Sequence, residues 1–170
     1  EADRASSAET STELLQEALS LFAGRPFSGF EDVEWVAPLL SRVSDERLLA
    51  VEALAEALVG SQRFQAAAQL AEEELIEHPY QESLRGLQML ALYGANRQAA
   101  ALSAYDEHRS RMIEDLGVDP SVELQRVHQR ILEQDPELAV AATPRTVWRR
   151  HRKVVIGLSV AVAAILVVAM

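Results

Sequence analysis

The chain of 170 residues has no cysteine, which excludes disulfides, thiolate metal sites and cysteine nucleophiles and fits a reducing compartment. Aromatic residues make up only 5%, and the β-branched residues that favour strands are thin before residue 140. No sustained alternation of apolar and polar residues replaces them. Seven glycines and six prolines leave long uninterrupted stretches rich in Ala and Leu, the best helix formers. An all-α fold follows. Acidic residues are also missing from one end, since all 26 Asp and Glu lie at or before Glu137. Five of the 16 Lys and Arg fall between Arg145 and Lys153, so residues 1–144 carry 11 minus 26, or −15. So acidic a segment repels a phosphate backbone, whose binding needs cationic neutralisation. There is no signal-peptide pattern, and a start at Glu1 is expected of a fragment or a processed chain.

What is present is a pattern written twice. Ala57, Leu58, Gly60, Arg63, Ala66, Ala67 and Glu73 recur as Ala91, Leu92, Gly94, Arg97, Ala100, Ala101 and Glu107, each shifted by 34 positions. A repeat of about that period is the tetratricopeptide (TPR) type, a helix-turn-helix unit that must stack to close its core. The spacing predicts a helix from Thr10, which has capping-box spacing to Glu13, ended by Gly24 and Pro26. Phe27, Gly29, Phe30 and Trp35 suit an aromatic turn packed on the bundle. Pro38 suits the first turn of a long helix over 39–59, turned by Gly60 into a returning helix over 62–77 that His78-Pro79 stops. A second hairpin pairs 81–93 with 97–116 across Gly94-Ala95-Asn96, and Gly117 ends it. Asp119 and Pro120 open a closing helix as N-cap and first residue, and Asp135-Pro136 ends it.

Residues 154–170 carry no charge, and only Gly157 and Ser159 interrupt their apolar character. As a helix they would span about 25 Å against a hydrocarbon core of about 30 Å. Trp148, Arg149, Arg150, Arg152 and Lys153 stand immediately before them, an interfacial aromatic with cations that stay cytoplasmic. The expected organisation is a disordered tail 1–9, a TPR-like domain 10–135, a linker 136–147, a basic juxtamembrane segment 148–153 and a transmembrane helix 154–170. The expected localisation is the cell membrane, single-pass, with the repeat domain cytoplasmic.

Residues 14–132 resemble the bacterial transcriptional activator domain, the TPR-like domain of SARP/AfsR-type regulators. The resemblance rests on Leu21-Phe22-Ala23-Gly24-Arg25-Pro26-Phe27 and on Leu84-Arg85-Gly86-Leu87-Gln88-Met89-Leu90-Ala91-Leu92-Tyr93-Gly94 with the Arg97–Tyr105 run behind it. The ending Glu114-Asp115-Leu116-Gly117-Val118-Asp119-Pro120-Ser121-Val122-Glu123-Leu124 is similar to the family's E-L-G-x-D/E-P-x-x-E-L close. The family's usual winged helix, which touches DNA, is missing from these residues, and soluble activators lack the span. The resemblance therefore implies transcriptional regulation for a parent protein, through self-association or a protein partner, with DNA contact only by a domain not in this chain.

No residue set forms an active site, cofactor loop or metal site. His78, His108, His128 and His151 lack the H-E-x-x-H spacing, and Ser20 and Ser28 lack a G-x-S-x-G context. His108, beside Asp106, and His128 are expected on solvated helix faces, as are Glu72, Glu73, Glu74 and Glu77. No catalytic residue, metal or cofactor is expected. Arg85, Gln88, Tyr93 and Asn96, on or beside the first helix of the second hairpin, are the candidate partner-binding residues. A membrane-bound TPR scaffold unrelated to transcription is the alternative.

Overall fold

A computed structural model describes residues 2–20, 37–135 and 138. Among them are six helices: α1 (Ala2–Ser20), α2 (Ala37–Gly60), α3 (Phe64–Glu77), α4 (Glu82–Gly94), α5 (Gln98–Leu116) and α6 (Val122–Leu132). The all-α expectation holds, as do the two hairpins, α2/α3 and α4/α5, closed by α6. The expected aromatic turn, the end of the first helix at Gly24 and Pro26, the basic segment 148–153 and the apolar segment 154–170 lie outside the described residues. Among the described residues no helix is long and apolar enough to cross a membrane.

The first helix begins at Ala2, well ahead of Thr10. It takes in most of the segment expected to be a disordered tail. No proline or glycine interrupts residues 1–20, and Ala and Glu sustain the helix across Thr10. A capping-box spacing is thus no start signal when helix formers precede it.

The 34-residue repeat holds down to individual hydrogen bonds. Ser61 N–H donates to Ala57 O at 2.9 Å and Ala95 N–H to Ala91 O at 3.0 Å. Gln62 N–H donates to Val59 O at 3.0 Å and Asn96 N–H to Tyr93 O at 2.9 Å. Arg63 N–H reaches back to Leu58 O, and Arg97 N–H to Leu92 O, both at 2.8 Å. The last two bonds of each set make a Schellman motif, which satisfies the orphan carbonyls of the helix end. Its left-handed position is held by Gln62 and by Asn96, each with φ 59°. This corrects the assignment of the first turn to Gly60, which ends α2 itself. The second turn falls within the expected Gly94-Ala95-Asn96, with Gly94 ending α4 and Asn96 in the left-handed position.

Gly94 has a different purpose. A β-carbon there would lie 2.5 Å from Cε1 of Phe64, the first residue of α3. The bare backbone lets the end of α4 seat on the ring, fixing one hairpin against the next.

α4 is the central helix, in contact with α2, α3, α5 and α6, while α1 packs on α2. Small residues allow the close approach: Ala67, Ala71, Ala91 and Ala101 are at most 1% exposed. Leu58, Met89 and Ile131 fill the main core, and Val51, Leu75 and Leu84 form a smaller cluster between the hairpins. Arg47 on α2 makes a bidentate ion pair with Glu74 on α3, through Nη1 to Oε2 at 2.7 Å and Nη2 to Oε1. Glu74 is buried, so it leaves the solvated acidic face expected for it, whereas Glu72, Glu73 and Glu77 remain exposed.

Gly117 ends α5 at φ 69° as expected. The cap of α6 is Ser121, whose hydroxyl accepts from Leu124 N–H at 3.4 Å, rather than Asp119. Asp119 instead pairs with Arg109, and Pro120 is buried.

Candidate functional site

The four candidate partner residues occupy different environments. Arg85 and Gln88 stand one turn apart on α4, each 8% exposed, with Arg85 Nη1 donating to Gln88 Oε1 at 2.7 Å. Arg85 Nε has no hydrogen-bond partner. Burial pushes the guanidinium's pKa down, and Arg111 adds to this, while Glu107 and Glu72 oppose it. Tyr93 is half-buried against the main core. Asn96 is exposed at the left-handed turn position. Two of the four therefore face the interior and one is committed to the turn.

His108 lies beside this buried pair. It is 1% exposed, contrary to the solvated face expected for it, and neither ring nitrogen is hydrogen-bonded. Nε2 stands 3.8 Å from Glu82 Oε1. Glu82 Oε1 also accepts the Ser121 N–H at 2.7 Å, a favourable place for a carboxylate at the start of α6. Desolvation pushes the His108 pKa below its ordinary value and Arg85 pushes the same way; Glu82 and the Pro79 carbonyl pull against them. His128 is half-buried and stacks on Tyr105, ring centroids 4.0 Å apart, so it too leaves the expected solvated face.

Among the described residues, a groove and an acidic face are open to a partner. A groove of about 390 Å³ runs between α4 and α6, floored by Gly86, Leu87, Leu90, Leu124 and Val127, with Glu82, Ser83, Ser121 and Glu123 completing its lining. Leu87, Leu90 and Val127 are only half-buried. On α5, Asp106, Glu107, Glu114 and Asp115 make an acidic face containing Ser110 and Arg111. Tyr80 donates its hydroxyl to Asp115 at 3.0 Å, which raises the phenol's pKa. The sequence reading missed the groove. Its signal was present in α4, where Leu87 and Leu90 add apolar positions beyond the stripe of Leu84, Met89, Ala91 and Leu92 that fills the core.

Among the described residues no group of His, Asp or Glu is arranged to hold a metal ion. Trp148, Arg149, Arg150, Arg152 and Lys153, the expected topology anchor, lie outside the described residues.

Comparison with known proteins places these features. Residues 1–132 match the sequence profile of the family described as the bacterial transcriptional activator domain. The chain belongs to that family. Bacterial transcriptional activator domains similar to it occur in regulators of several kinds. The chain is 35% identical over 130 residues to the transcriptional regulatory protein EmbR of Mycobacterium tuberculosis, covering 75% of this chain and 33% of that protein. It is 52% identical over 71 residues to the regulatory protein AfsR of Streptomyces coelicolor, covering 41% of this chain and 7% of that one. The chain thus spans about a third of EmbR and far less of AfsR. Among solved structures it is similar to M. tuberculosis EmbR in complex with a low affinity phosphopeptide, with a TM-score of 0.75 and 31% identity over 80% of this chain and 36% of that chain. The TPR-like, all-helical fold is therefore that of a SARP-type regulator's activator domain, and nothing in this family assignment calls for an enzyme.

Proposed function

We propose that this chain is the protein-interaction module of a SARP/AfsR-like transcriptional regulator, acting by self-association or by binding another protein, and anchored in the cell membrane with the repeat domain cytoplasmic. The observation that carries the interaction reading is the α4–α6 groove, an apolar channel that the domain's described helices leave open. Arg85, Gln88, Tyr93 and Asn96 lie in the same hairpin, the first two buried together on α4 and the other two at or beside the adjoining turn. The net charge of −15 over residues 1–144 supports DNA contact by another domain rather than by this one. The anchor reading rests on the uncharged run 154–170 and the cationic residues before it.

The experiment is the intact mass of the native gene product in isolated membranes, followed by sequencing of its N-terminal side. A product well above 18.7 kDa that carries a winged helix supports the regulator. A membrane product of that mass favours a TPR scaffold instead. Absence from membranes removes the anchor.

A further inference from the structure

The junction of α4, α5 and α6 contains one acceptor with two potential donors. Glu82 Oε1 holds the Ser121 N–H at 2.7 Å, and the same oxygen faces His108 Nε2 at 3.8 Å. Ser121 is the cap from which the closing helix starts. His108 is 1% exposed, and neither ring nitrogen is hydrogen-bonded. Glu82 and the Pro79 carbonyl are the ring's polar neighbours, and a buried polar group that makes no full hydrogen bond to either calls for a reason. The charged groups acting on the ring are Arg85 and Glu82, both from α4, with the Pro79 carbonyl from the α3–α4 connection. Glu72 of α3 and Glu107 and Arg111 of α5 act on Arg85 in turn. A neutral ring offers Glu82 nothing better than the Ser121 amide. An imidazolium beside Arg85 has Glu82 as its nearest counter-charge, and a charge-assisted bond is about twice as strong as a neutral one.

We propose that Glu82 is a shared acceptor that leaves the Ser121 N–H for the His108 ring when that ring gains a proton, so that acid releases the N-terminus of the closing helix. α6 covers the core through Leu124 and Ile131, which are 2% and 0% exposed. Loosening its start therefore exposes the same floor that lines the α4–α6 groove, and couples proton binding to the candidate interaction surface. The inference rests on the Glu82 geometry and stands whether or not the groove proves to be the partner site.

The test is an NMR titration of the ¹⁵N-labelled full chain in detergent micelles, following the His108 ring and the Ser121 amide together. As pH falls below about 6.5, exchange of the Ser121 amide, corrected for its intrinsic pH dependence, accelerates by up to about tenfold per pH unit in step with the ring. In Glu82→Gln the carboxamide oxygen still accepts the amide but carries no charge for the ring, and Ser121 keeps its shift and protection through the His108 titration. In His108→Gln the Ser121 response disappears. A wild-type Ser121 amide that stays protected while His108 protonates overturns the proposal. So does a response that persists in either variant, which would assign it to another group or to general loosening.

Discussion

The ring of Phe64 stands where a β-carbon at Gly94 would have to be, with Cδ1 2.6 Å and Cε1 2.5 Å from that point. This contact joins the start of α3 to the end of α4 and so sets the spacing of the two hairpins. Gly94→Ala must move the ring, and overpacking of this kind costs about 1–3 kcal/mol. Phe64→Leu alone is also destabilising, but added to Gly94→Ala it recovers part of the loss. Urea denaturation of the two single variants and the double variant checks this, and additive losses would mean the two positions are not in conflict.

Gln62 and Gln134 hold positive φ values of 59° and 53° at helix ends, a conformation that costs a side-chain-bearing residue about 1–2 kcal/mol. Replacing either by glycine removes that strain at some cost in chain entropy. We expect Gln62→Gly and Gln134→Gly each to stabilise by about 0.5–1 kcal/mol, read as a rise in the thermal midpoint of a few degrees. Gly117→Ala, at φ 69°, moves the midpoint the other way.

Arg47 is held by Glu74, and this hydrogen bond and the carboxylate's charge raise the guanidinium's pKa. Glu74 is the more buried partner, so removing Arg47 strands a carboxylate and removing Glu74 frees an arginine that reaches water. Arg47→Ala should cost more than Glu74→Gln, about 2 kcal/mol against about 1. A double-mutant cycle in chemical denaturation measures the coupling between them.

His108 makes the stability of the fold depend on pH. Its folded-state pKa is depressed below the ordinary value of about 6.5, so the folded chain binds fewer protons than the unfolded one. Its contribution is complete above about pH 6.5 and is lost as pH falls below that value, by at most about 1.4 kcal/mol per pH unit. Equilibrium unfolding from pH 8 to pH 5 shows this slope in the wild type and a smaller one in His108→Gln.

Arg85→Met should change stability by less than about 1 kcal/mol, because the buried cation has one side-chain hydrogen bond and no ion pair within 4.0 Å among the described residues. It also raises the His108 midpoint, since Arg85 is one of the groups that lowers it. Charge reversal at Arg85, by contrast, places a carboxylate in the interior and tests folding rather than partner binding.

The hairpins, their lengths and the closing helix were legible because each depends on local signals: the 34-residue repeat, His78-Pro79 and Gly117. The first turn was misread because Gln62, expected in the returning helix, takes a position where glycine is the commoner residue, whereas Asn96 does so inside the turn expected for it. Ser121 rather than Asp119 caps α6, a choice settled by Glu82 receiving the Ser121 N–H from a distant part of the chain. His108, Arg85, Gln88 and Glu74 read as surface residues, since nothing in a polar side chain's neighbours along the chain reports what other helices place over it. The groove left a trace in the extra apolar positions Leu87 and Leu90 of α4, but which helix borders them is set only by the packing of α4 on its four neighbours.

The contact between Phe64 and Gly94 also gives the two hairpins an order. Phe64 has its 34-residue counterpart in Gln98, and Gln98 asks for no bare backbone. Its Nε2 donates to the carbonyl of Ile131 at 3.1 Å, in the penultimate position of α6. The first hairpin is therefore cut to receive another hairpin, and the second is cut to receive a terminus. Exchanging them would set a glutamine against Gly60 and an aromatic ring against a helix end with no glycine to admit it. Among the positions at which the two similar units differ, 64 and 98 thus decide which hairpin accepts a second hairpin and which accepts the end of α6.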